Sequence, residues 1–233
     1  MPNKPEAGSP LHMFDTATQL VNVTYKSPYP IVVHQGGTSS SKTYSILQTL
    51  AAFAIHDAGC LITVVGQDIP NLKKGAYREA KDIFFNNSIV SSAISWHNRS
   101  DREIHFKNGS VIEFSSFESA QDAKSGKRDY LFVNEANGIH YEIFEELTVR
   151  TNKISIIDFN PTAEFWAHTK LKGRPDVRWV ISTFLHNPFI RKSIADKIRS
   201  YEPTEENIRA GTANKYRWQV YGLGLIGRLE GLV

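Results

Sequence analysis

The sequence has almost none of the cysteine that disulfide-bonded or zinc-stabilised folds require, because Cys60 is the only cysteine among 233 residues. A single thiol excludes an internal disulfide and a cysteine-based zinc site, and it suits a reducing compartment. No stretch approaches the roughly 18 apolar residues that a membrane span needs. The polar first ten residues also lack the apolar segment of a secretory signal. We therefore expect a cytosolic protein without a membrane partner.

The chain also has little net charge, because its 27 lysines and arginines are nearly balanced by 24 aspartates and glutamates, which leaves a net charge of +3. This small excess permits a nucleic-acid partner without requiring one. Basic residues do cluster in two places, each of which is either a DNA contact or a solvated face. They are Lys73, Lys74, Arg78 and Lys81, then Lys170, Lys172, Arg174 and Arg178. With 41% hydrophobic residues, the chain can bury one large core.

Residues 36–43 read GGTSSSKT, between an apolar run and a segment whose apolar residues recur at helical spacing. Against the Walker A pattern G-x-x-x-x-G-K-[ST], only Ser41 departs, where a glycine is usual. Amides of such a loop surround phosphates, the lysine places its charge on them, and the threonine hydroxyl ligates Mg²⁺. The candidate ATP-binding residues are Gly36, Gly37, Thr38, Ser39, Ser40, Ser41, Lys42 and Thr43. Because serine lacks glycine's freedom at positive φ, we expect the loop to stay within ordinary backbone limits.

Apolar runs alternate with amphipathic segments, which predicts an α/β fold with a mostly parallel central sheet flanked by helices. After the loop and its helix, the expected strands cover 60–66, 129–137, 153–160 and 177–184, and a helix is expected at 71–87. Residues 102–117 alternate on both sides of Asn108-Gly109, which predicts a β-hairpin inserted before the strand at 129–137. The tail is expected to be helical.

The strand predicted at 129–137 leads to Asn134 and Glu135 at its carboxyl end, where ligands bind in open α/β sheets. Glu135 is the candidate base that activates water (Walker B). Asn134 stands where a metal-associated carboxylate is usual, so it would contact Mg²⁺ through its carbonyl or a water. The alternative is that residues 134–137 merely cap the following helix.

The next predicted strand also ends in polar residues, DFNPT at 158–162. Asn160 is best placed to sense a γ-phosphate and relay its loss to the rest of the domain. Asp158 is interpreted only as an edge residue. Ordinary Asn-Pro turn chemistry is the alternative explanation of this segment.

These motifs, with STFLHNPFI and the closing YGLGLIGRLEG, resemble in order and spacing the ATPase portion of the large terminase subunit of tailed bacteriophages. The resemblance runs from about residue 30 to residue 233. It implies a P-loop NTPase of the additional-strand, catalytic-glutamate (RecA-like) class. It also implies ATP hydrolysis that drives double-stranded viral DNA into a procapsid in the host cytoplasm. The implied partners are the small terminase subunit, the portal protein and neighbouring copies in a ring.

The resemblance also implies a division of the chain. Residues 1–28 would form an arm or lid, residues 29–215 the ATPase domain, and residues 216–233 a connector toward a nuclease domain that this chain lacks. We therefore expect ATPase activity without nuclease activity.

Carried across residue by residue, the resemblance places the catalytic base on Glu135 and the coupling residue on Asn160. Relatives have a trans-acting arginine shortly before the catalytic strand, where this sequence offers Lys124 and Arg128. Gln35 matches an upstream glutamine that contacts adenine in some related ATPases. Ser41, Asn134 and the lack of a loop arginine leave open a nucleotide-binding or scaffold module with decayed catalysis, and a helicase is a further alternative.

Overall fold

An eight-stranded sheet organises residues 10–228, the part of the chain that the computed structural model describes. In chain order the strands are β1 (Ile31–Gly36), β2 (Leu61–Val65), β3 (Ile94–Asn98), β4 (Glu103–Phe106), β5 (Val111–Ser115), β6 (Arg128–Val133), β7 (Thr151–Phe159) and β8 (Val177–Ser182). Across the sheet their order is β3-β4-β5-β2-β6-β7-β1-β8. The pairs β3–β4 and β4–β5 are antiparallel, and all other neighbours are parallel.

Helices cover both faces of this sheet. They are α1 (Gln19–Tyr25), α2 (Lys42–His56), α3 (Ile69–Lys74), α4 (Ala76–Asn86), α5 (Ser88–Ala93), α6 (Tyr141–Val149), α7 (Lys192–Arg199), α8 (Glu205–Arg209) and α9 (Lys215–Arg217), with π-helical turns at Ala167–Leu171 and Trp218–Gly222. None of the helices in the described range is long and apolar enough to cross a membrane.

The central strands are buried on both faces, as expected for parallel strands between helical layers. Alternate residues therefore enter two different cores: Phe132 and Ile156 pack with α2 and α4, whereas Leu131 and Ile157 pack with α6. This double burial explains why β6 and β7 appear in the sequence as continuous apolar runs. It also fixes the strand register, because a slip of one residue would exchange the two faces.

The predicted parallel α/β sheet and the inserted hairpin are confirmed, with two differences in detail. The helix expected at 71–87 is broken at Gly75, whose backbone (φ −102°, ψ −114°) is not helical, so that α3 and α4 are separate. The edge strand β3 was not predicted. Its residues are only partly buried or exposed, so the segment carries little of the alternation that marks a strand.

The segment before β1 packs on the same body. Met13 and Phe14 join the core on the α2 side, and Thr24 Oγ1 lies 2.7 Å from His34 Nε2. Burial, together with the charges of Lys42 and Arg178, lowers the pKa of His34 to about 3, so its ring is neutral at physiological pH. The expected arm or lid role stays a prediction. Residues 1–9 of that segment and residues 229–233 of the expected connector lie outside the described range.

The hairpin turn links the sheet to the end of α2. Phe106 N–H donates to Ser110 O (2.9 Å), and Gly109 closes the turn with φ +88°. The Asn108 side-chain amide donates to the Ala54 and Ile55 carbonyls at 2.8 and 3.0 Å. Asn108 thus satisfies carbonyl groups at the end of α2 that have no partner within the helix.

We expect Gly109→Ala to lower the free energy of unfolding by about 1–2 kcal/mol, the cost of a left-handed backbone for an L-residue. The added Cβ would meet only the Gly59 Cα at 3.8 Å, so the loss reflects the backbone rather than a clash. Gly109→Asn is the matched control and should lose less, since asparagine tolerates this region. Urea denaturation measures both variants, and equal losses would contradict the turn geometry.

Candidate nucleotide-binding site

The phosphate-loop motif lies between β1 and α2, as the sequence predicts. β1 ends at Gly36 and α2 begins at Lys42, so the loop leads into the N-terminus of a helix of 15 residues. Gly37 N–H donates to Ser182 O at the end of β8 (3.0 Å). A helix N-terminus with free amides is a general anion site, which gives the loop its capacity for phosphate.

Two serines give the loop its shape by taking the left-handed backbone conformation. Ser39 has φ 63° and Ser41 has φ 64°, so the expectation of an ordinary loop backbone was wrong. Contacts from outside the loop hold this conformation: Asn187 Nδ2 donates to Ser39 O (2.9 Å), and Ser182 Oγ donates to Ser40 Oγ (3.1 Å). Ser41 therefore adopts the conformation for which glycine is usual at this position.

The two glycines of the loop are required by close packing. A Cβ on Gly37 would lie 2.1 Å from Tyr221 O, and one on Gly36 would lie 2.5 Å from Ser182 Oγ. Distances this short leave no room for any side chain. The loop is thus held between β8 and the π-helical turn Trp218–Gly222.

The first two residues of α2 bind the carboxyl end of β7. Lys42 Nζ donates to Asn160 Oδ1 (2.5 Å), and Thr43 Oγ1 donates to Asp158 Oδ2. β7 pairs directly with β1, so its tip lies beside the loop. The structure therefore brings Asn160 to Lys42, and its role as a sensor of the γ-phosphate stays a prediction.

The end of β6 joins the same cluster. Asn134 Nδ2 and the Glu135 backbone N–H both donate to Asp158 Oδ1 at 2.9 Å. Glu135 itself is exposed and has a left-handed backbone (φ 53°), a conformation that is costly for a side-chain-bearing residue and is often found at functional sites. The capping alternative for residues 134–137 fails, because α6 begins later, after its N-cap His140.

Asp158 is the central member of this cluster, and its interpretation as an edge residue was wrong. It does lie at the carboxyl edge of the sheet, but the residue is 1% exposed and its carboxylate accepts hydrogen bonds from three different residues. The available sequence signal was an acidic residue at the end of an apolar run. The contact of Asn187 with the loop was likewise not predicted, although the residue lies within the STFLHNPFI motif.

Electrostatics around Lys42 reveal one further carboxylate. Burial lowers the pKa of Lys42, while Asp158, Glu135 and Glu79 oppose that shift by favouring the charged ammonium. Burial likewise raises the pKa of the half-buried Glu79 on α4, and the nearby Asp158 adds to this. Glu79 was not predicted from the sequence, because it lies on a helix whose other charges are mostly basic.

The donor set beside the loop suits Mg²⁺. Oxygens of the Thr43 hydroxyl and the Asp158 carboxylate meet at the start of α2, and Mg²⁺ prefers hard oxygen ligands of this kind, with one or two carboxylates and the phosphates of a substrate. The residues therefore fit a magnesium ion that would arrive with a nucleotide.

Gln35 is occupied elsewhere. It is 3% exposed, its Nε2 donates to Gly224 O (2.6 Å), and His168 Nε2 donates to its Oε1 (3.2 Å). Both ends of the amide are used inside the protein, which contradicts the predicted contact with adenine. Gln35 instead ties β1 to the C-terminal segment.

The two candidates for the trans-acting residue differ sharply in exposure. Arg128 is 3% exposed, and its guanidinium donates to Thr63 Oγ1 and Leu147 O, both at 3.1 Å. This burial contradicts a role for Arg128 at a neighbouring subunit. Lys124 is exposed on the 3-10 turn Asp122–Lys124, so its candidacy stays a prediction.

Two cavities flank the loop. One of about 400 Å³ lies toward α4 and α7, and another of about 540 Å³ lies toward α7 and the C-terminal turn. The first cavity is lined by Thr16, Ser39, Ser41, Tyr44, Glu79, Asn187, Phe189, Ile190, Arg191 and Ile194. The second cavity is lined by Thr38, Ser193, Ile194, Lys197, Ile198, Tyr201 and Tyr221. Both have the size of small-molecule sites.

Comparison with known proteins decides the family. Residues 29–223 match the family model described as the phage terminase large subunit. The chain belongs to this family. Comparison of the terminase sequence with curated proteins gives no significant match.

Solved structures show the same fold. The large terminase of the thermophilic bacteriophage D6E has a TM-score of 0.71 at 16% identity, over 93% of this chain and 55% of that one. The ATPase domain of the Thermus phage P74-26 large terminase has a TM-score of 0.59 at 14% identity, over 83% and 92%. The HK97 large terminase has a TM-score of 0.62 at 10% identity, over 89% and 49%. These likenesses confirm the predicted fold class, and the terminase chain spans about half the length of the D6E protein.

We expect Ser41→Gly to raise the free energy of unfolding of this terminase chain by about 0.5–1 kcal/mol. Glycine avoids the left-handed cost of roughly 1–2 kcal/mol, and part of that gain is offset by its freedom in the unfolded chain. The Ser41 hydroxyl is buried without a partner, so its removal breaks no hydrogen bond.

Ser40→Gly is the matched control. It should lower stability, because it removes the partner of the buried Ser182 hydroxyl. Urea denaturation compares the two variants. A loss in Ser41→Gly as large as that in Ser40→Gly would contradict the left-handed conformation at Ser41.

Proposed function

We propose that this terminase chain hydrolyses ATP to drive double-stranded viral DNA into a procapsid. One observation carries the proposal: the phosphate loop lies beside the tips of β6 and β7, where Lys42 and Thr43 bind Asn160 and Asp158, and the Glu135 backbone N–H also donates to Asp158. Family membership supports the DNA-packaging role. The D6E large terminase, solved in complex with ADP and with ATP-gamma-S, supports the choice of nucleotide.

In the proposed reaction the protein contributes position and charge. Glu135 orients a water molecule in line with the γ-phosphorus and accepts its proton, while the Lys42 ammonium stabilises charge that develops on the phosphate oxygens. Thr43 would hold Mg²⁺, which when bound neutralises charge between the β- and γ-phosphates. Glu135 is exposed, and its backbone N–H binds the Asp158 carboxylate that also binds Thr43, which suits a base that must meet water.

The hydrogen bond between Lys42 and Asn160 suggests how hydrolysis is relayed. The ammonium that binds Asn160 at 2.5 Å is the group that a γ-phosphate would attract, so ATP and Asn160 compete for it. Next in the chain, Pro161 O accepts from Gly227 N–H (3.0 Å), and Thr162 O accepts from Tyr216 Oη (2.9 Å). A shift at Asn160 would therefore reach the C-terminal segment directly.

The remaining parts of the proposal concern assembly. Copies of the chain would form a ring on the portal protein, in the host cytoplasm and with the small terminase subunit. The exposed Lys124 of one copy would approach the phosphates bound by its neighbour. Its charge would supplement Lys42, because the loop of this chain carries no arginine.

We expect Glu135→Gln to keep ATP binding and to lower turnover by about 10²–10⁴-fold, the usual contribution of a general base. Phosphate release by the motor assembled with portal and DNA is the measurement, because a trans-acting charge is present only there. Glu206→Gln on the exposed face of α8 is the matched control and should leave the rate unchanged. An unchanged rate in Glu135→Gln would remove Glu135 from the mechanism.

The same assay separates the motor from a nucleotide-binding module with decayed catalysis. A motor gains ATPase activity on assembly, whereas the module binds nucleotide without turnover under every condition. The geometry favours the motor, since Ser41 adopts the conformation for which glycine is usual.

A further inference from the structure

We propose that Asp158 on β7 supplies the magnesium-associated carboxylate that β6 lacks because it carries Asn134. This inference rests on the proposed function, since it concerns the metal that accompanies ATP. The sequence pattern places such a carboxylate at the end of β6, whereas the proposed residue lies at the end of β7.

The two side chains are direct neighbours, which makes an exchange of roles between strands possible. β6 and β7 pair in parallel with Val133 opposite Ile157, so residues 134 and 158 follow as the next step at the same sheet edge. Asn134 Nδ2 donates to Asp158 Oδ1 at 2.9 Å. The carboxylate and the amide therefore occupy adjoining positions, and either strand could carry the negative group.

Hydrogen bonds orient the Asp158 carboxylate toward the loop. Its Oδ1 accepts from Asn134 Nδ2 and from the Glu135 backbone N–H, both at 2.9 Å, whereas its Oδ2 accepts from Thr43 Oγ1. The Thr43 hydroxyl is the group expected to ligate Mg²⁺, and an acidic side chain beside that hydroxyl completes the metal side of a P-loop site. Oδ2 of Asp158 is the oxygen in that position.

Charge balance also favours a cation at this point. The Asp158 side chain is 1% exposed, and within residues 10–228 no lysine or arginine forms an ion pair with it. The Lys42 ammonium, whose charged form Asp158 favours, donates its hydrogen bond to Asn160 and not to Asp158. A buried carboxylate is costly unless a cation or metal compensates it. Mg²⁺ arriving with ATP would supply that charge, and Glu135 would stay free to act on water.

The test measures how much Mg²⁺ strengthens nucleotide binding, without any turnover. Affinity for ATPγS is determined by calorimetry with Mg²⁺ and with EDTA, for the full chain and its variants. Asp158→Asn should reduce the Mg²⁺-dependent gain by about 10–100-fold, as loss of a group that supports a metal typically does. In EDTA it should bind at least as well as the unaltered chain, because a negative charge near the phosphates has gone.

Two matched variants sharpen this test. Glu206→Gln, which removes the same charge at an exposed position on α8 outside the site, should change the Mg²⁺-dependent gain by less than about 3-fold, below the range for groups that support a metal. The double variant Asn134→Asp with Asp158→Asn should regain most of the gain, since it returns a carboxylate to the adjoining position. A folded double variant that stays insensitive to Mg²⁺ would contradict the exchange of roles.

If circular dichroism shows that Asp158→Asn does not fold, a second experiment determines the position of the metal directly. Crystals of the unaltered chain with Mn²⁺ and ATPγS give the metal position by anomalous scattering. The proposal expects the ion within about 4.5 Å of Asp158 Oδ2, bound directly or through one water. An ion that lies beyond that range would overturn it.

The two proposals fail in distinguishable ways. If Asp158→Asn keeps the full Mg²⁺-dependent gain, the assignment of Asp158 is wrong while the ATPase proposal stands. If the unaltered chain binds no nucleotide with Mg²⁺ or EDTA, the proposed function falls, and the assignment of Asp158 falls with it.

Discussion

The site depends on the contact between the start of α2 and the carboxyl end of β7. Two consecutive helix residues, Lys42 and Thr43, bind Asn160 and Asp158 respectively. Because β7 pairs with both β1 and β6, the same strand tip receives the phosphate loop from one side and the Asn134–Glu135 corner from the other. Parallel pairing is what makes this convergence possible, since it brings the carboxyl ends of all three strands to one edge.

The loop geometry carries local strain that the surrounding structure compensates. Ser39, Ser41 and Glu135 all have positive φ, each at a cost of order 1–3 kcal/mol. Asn187, Ser182 and the close approach of Tyr221 to Gly37 hold the loop in place. The segment that follows β8 is therefore part of the site, although it lies far from the loop in sequence.

Much of this could be predicted from sequence, because the signals are local. The loop pattern, the apolar runs of β6 and β7 and the Asn108-Gly109 turn each specify their own structure over a few residues. The residues whose roles were predicted wrongly make contacts with residues that are distant in the sequence. Gln35 and Arg128 have polar side chains that are commonly exposed, and only tertiary packing shows that their partners are Gly224 and Leu147. Asp158 was undervalued because its importance comes from Thr43, which lies on another element.

The central claim is that the loop and the facing strand tips enclose the phosphates of a nucleotide. Calorimetric titration of ATPγS with Mg²⁺ into the unaltered chain and Lys42→Ala tests it most directly, with exposed Lys74→Ala as the control of equal charge change. Loss of a charge-assisted contact should weaken binding by about 10–100-fold in Lys42→Ala, with Lys74→Ala unchanged. Equal affinities for all three proteins would contradict the account.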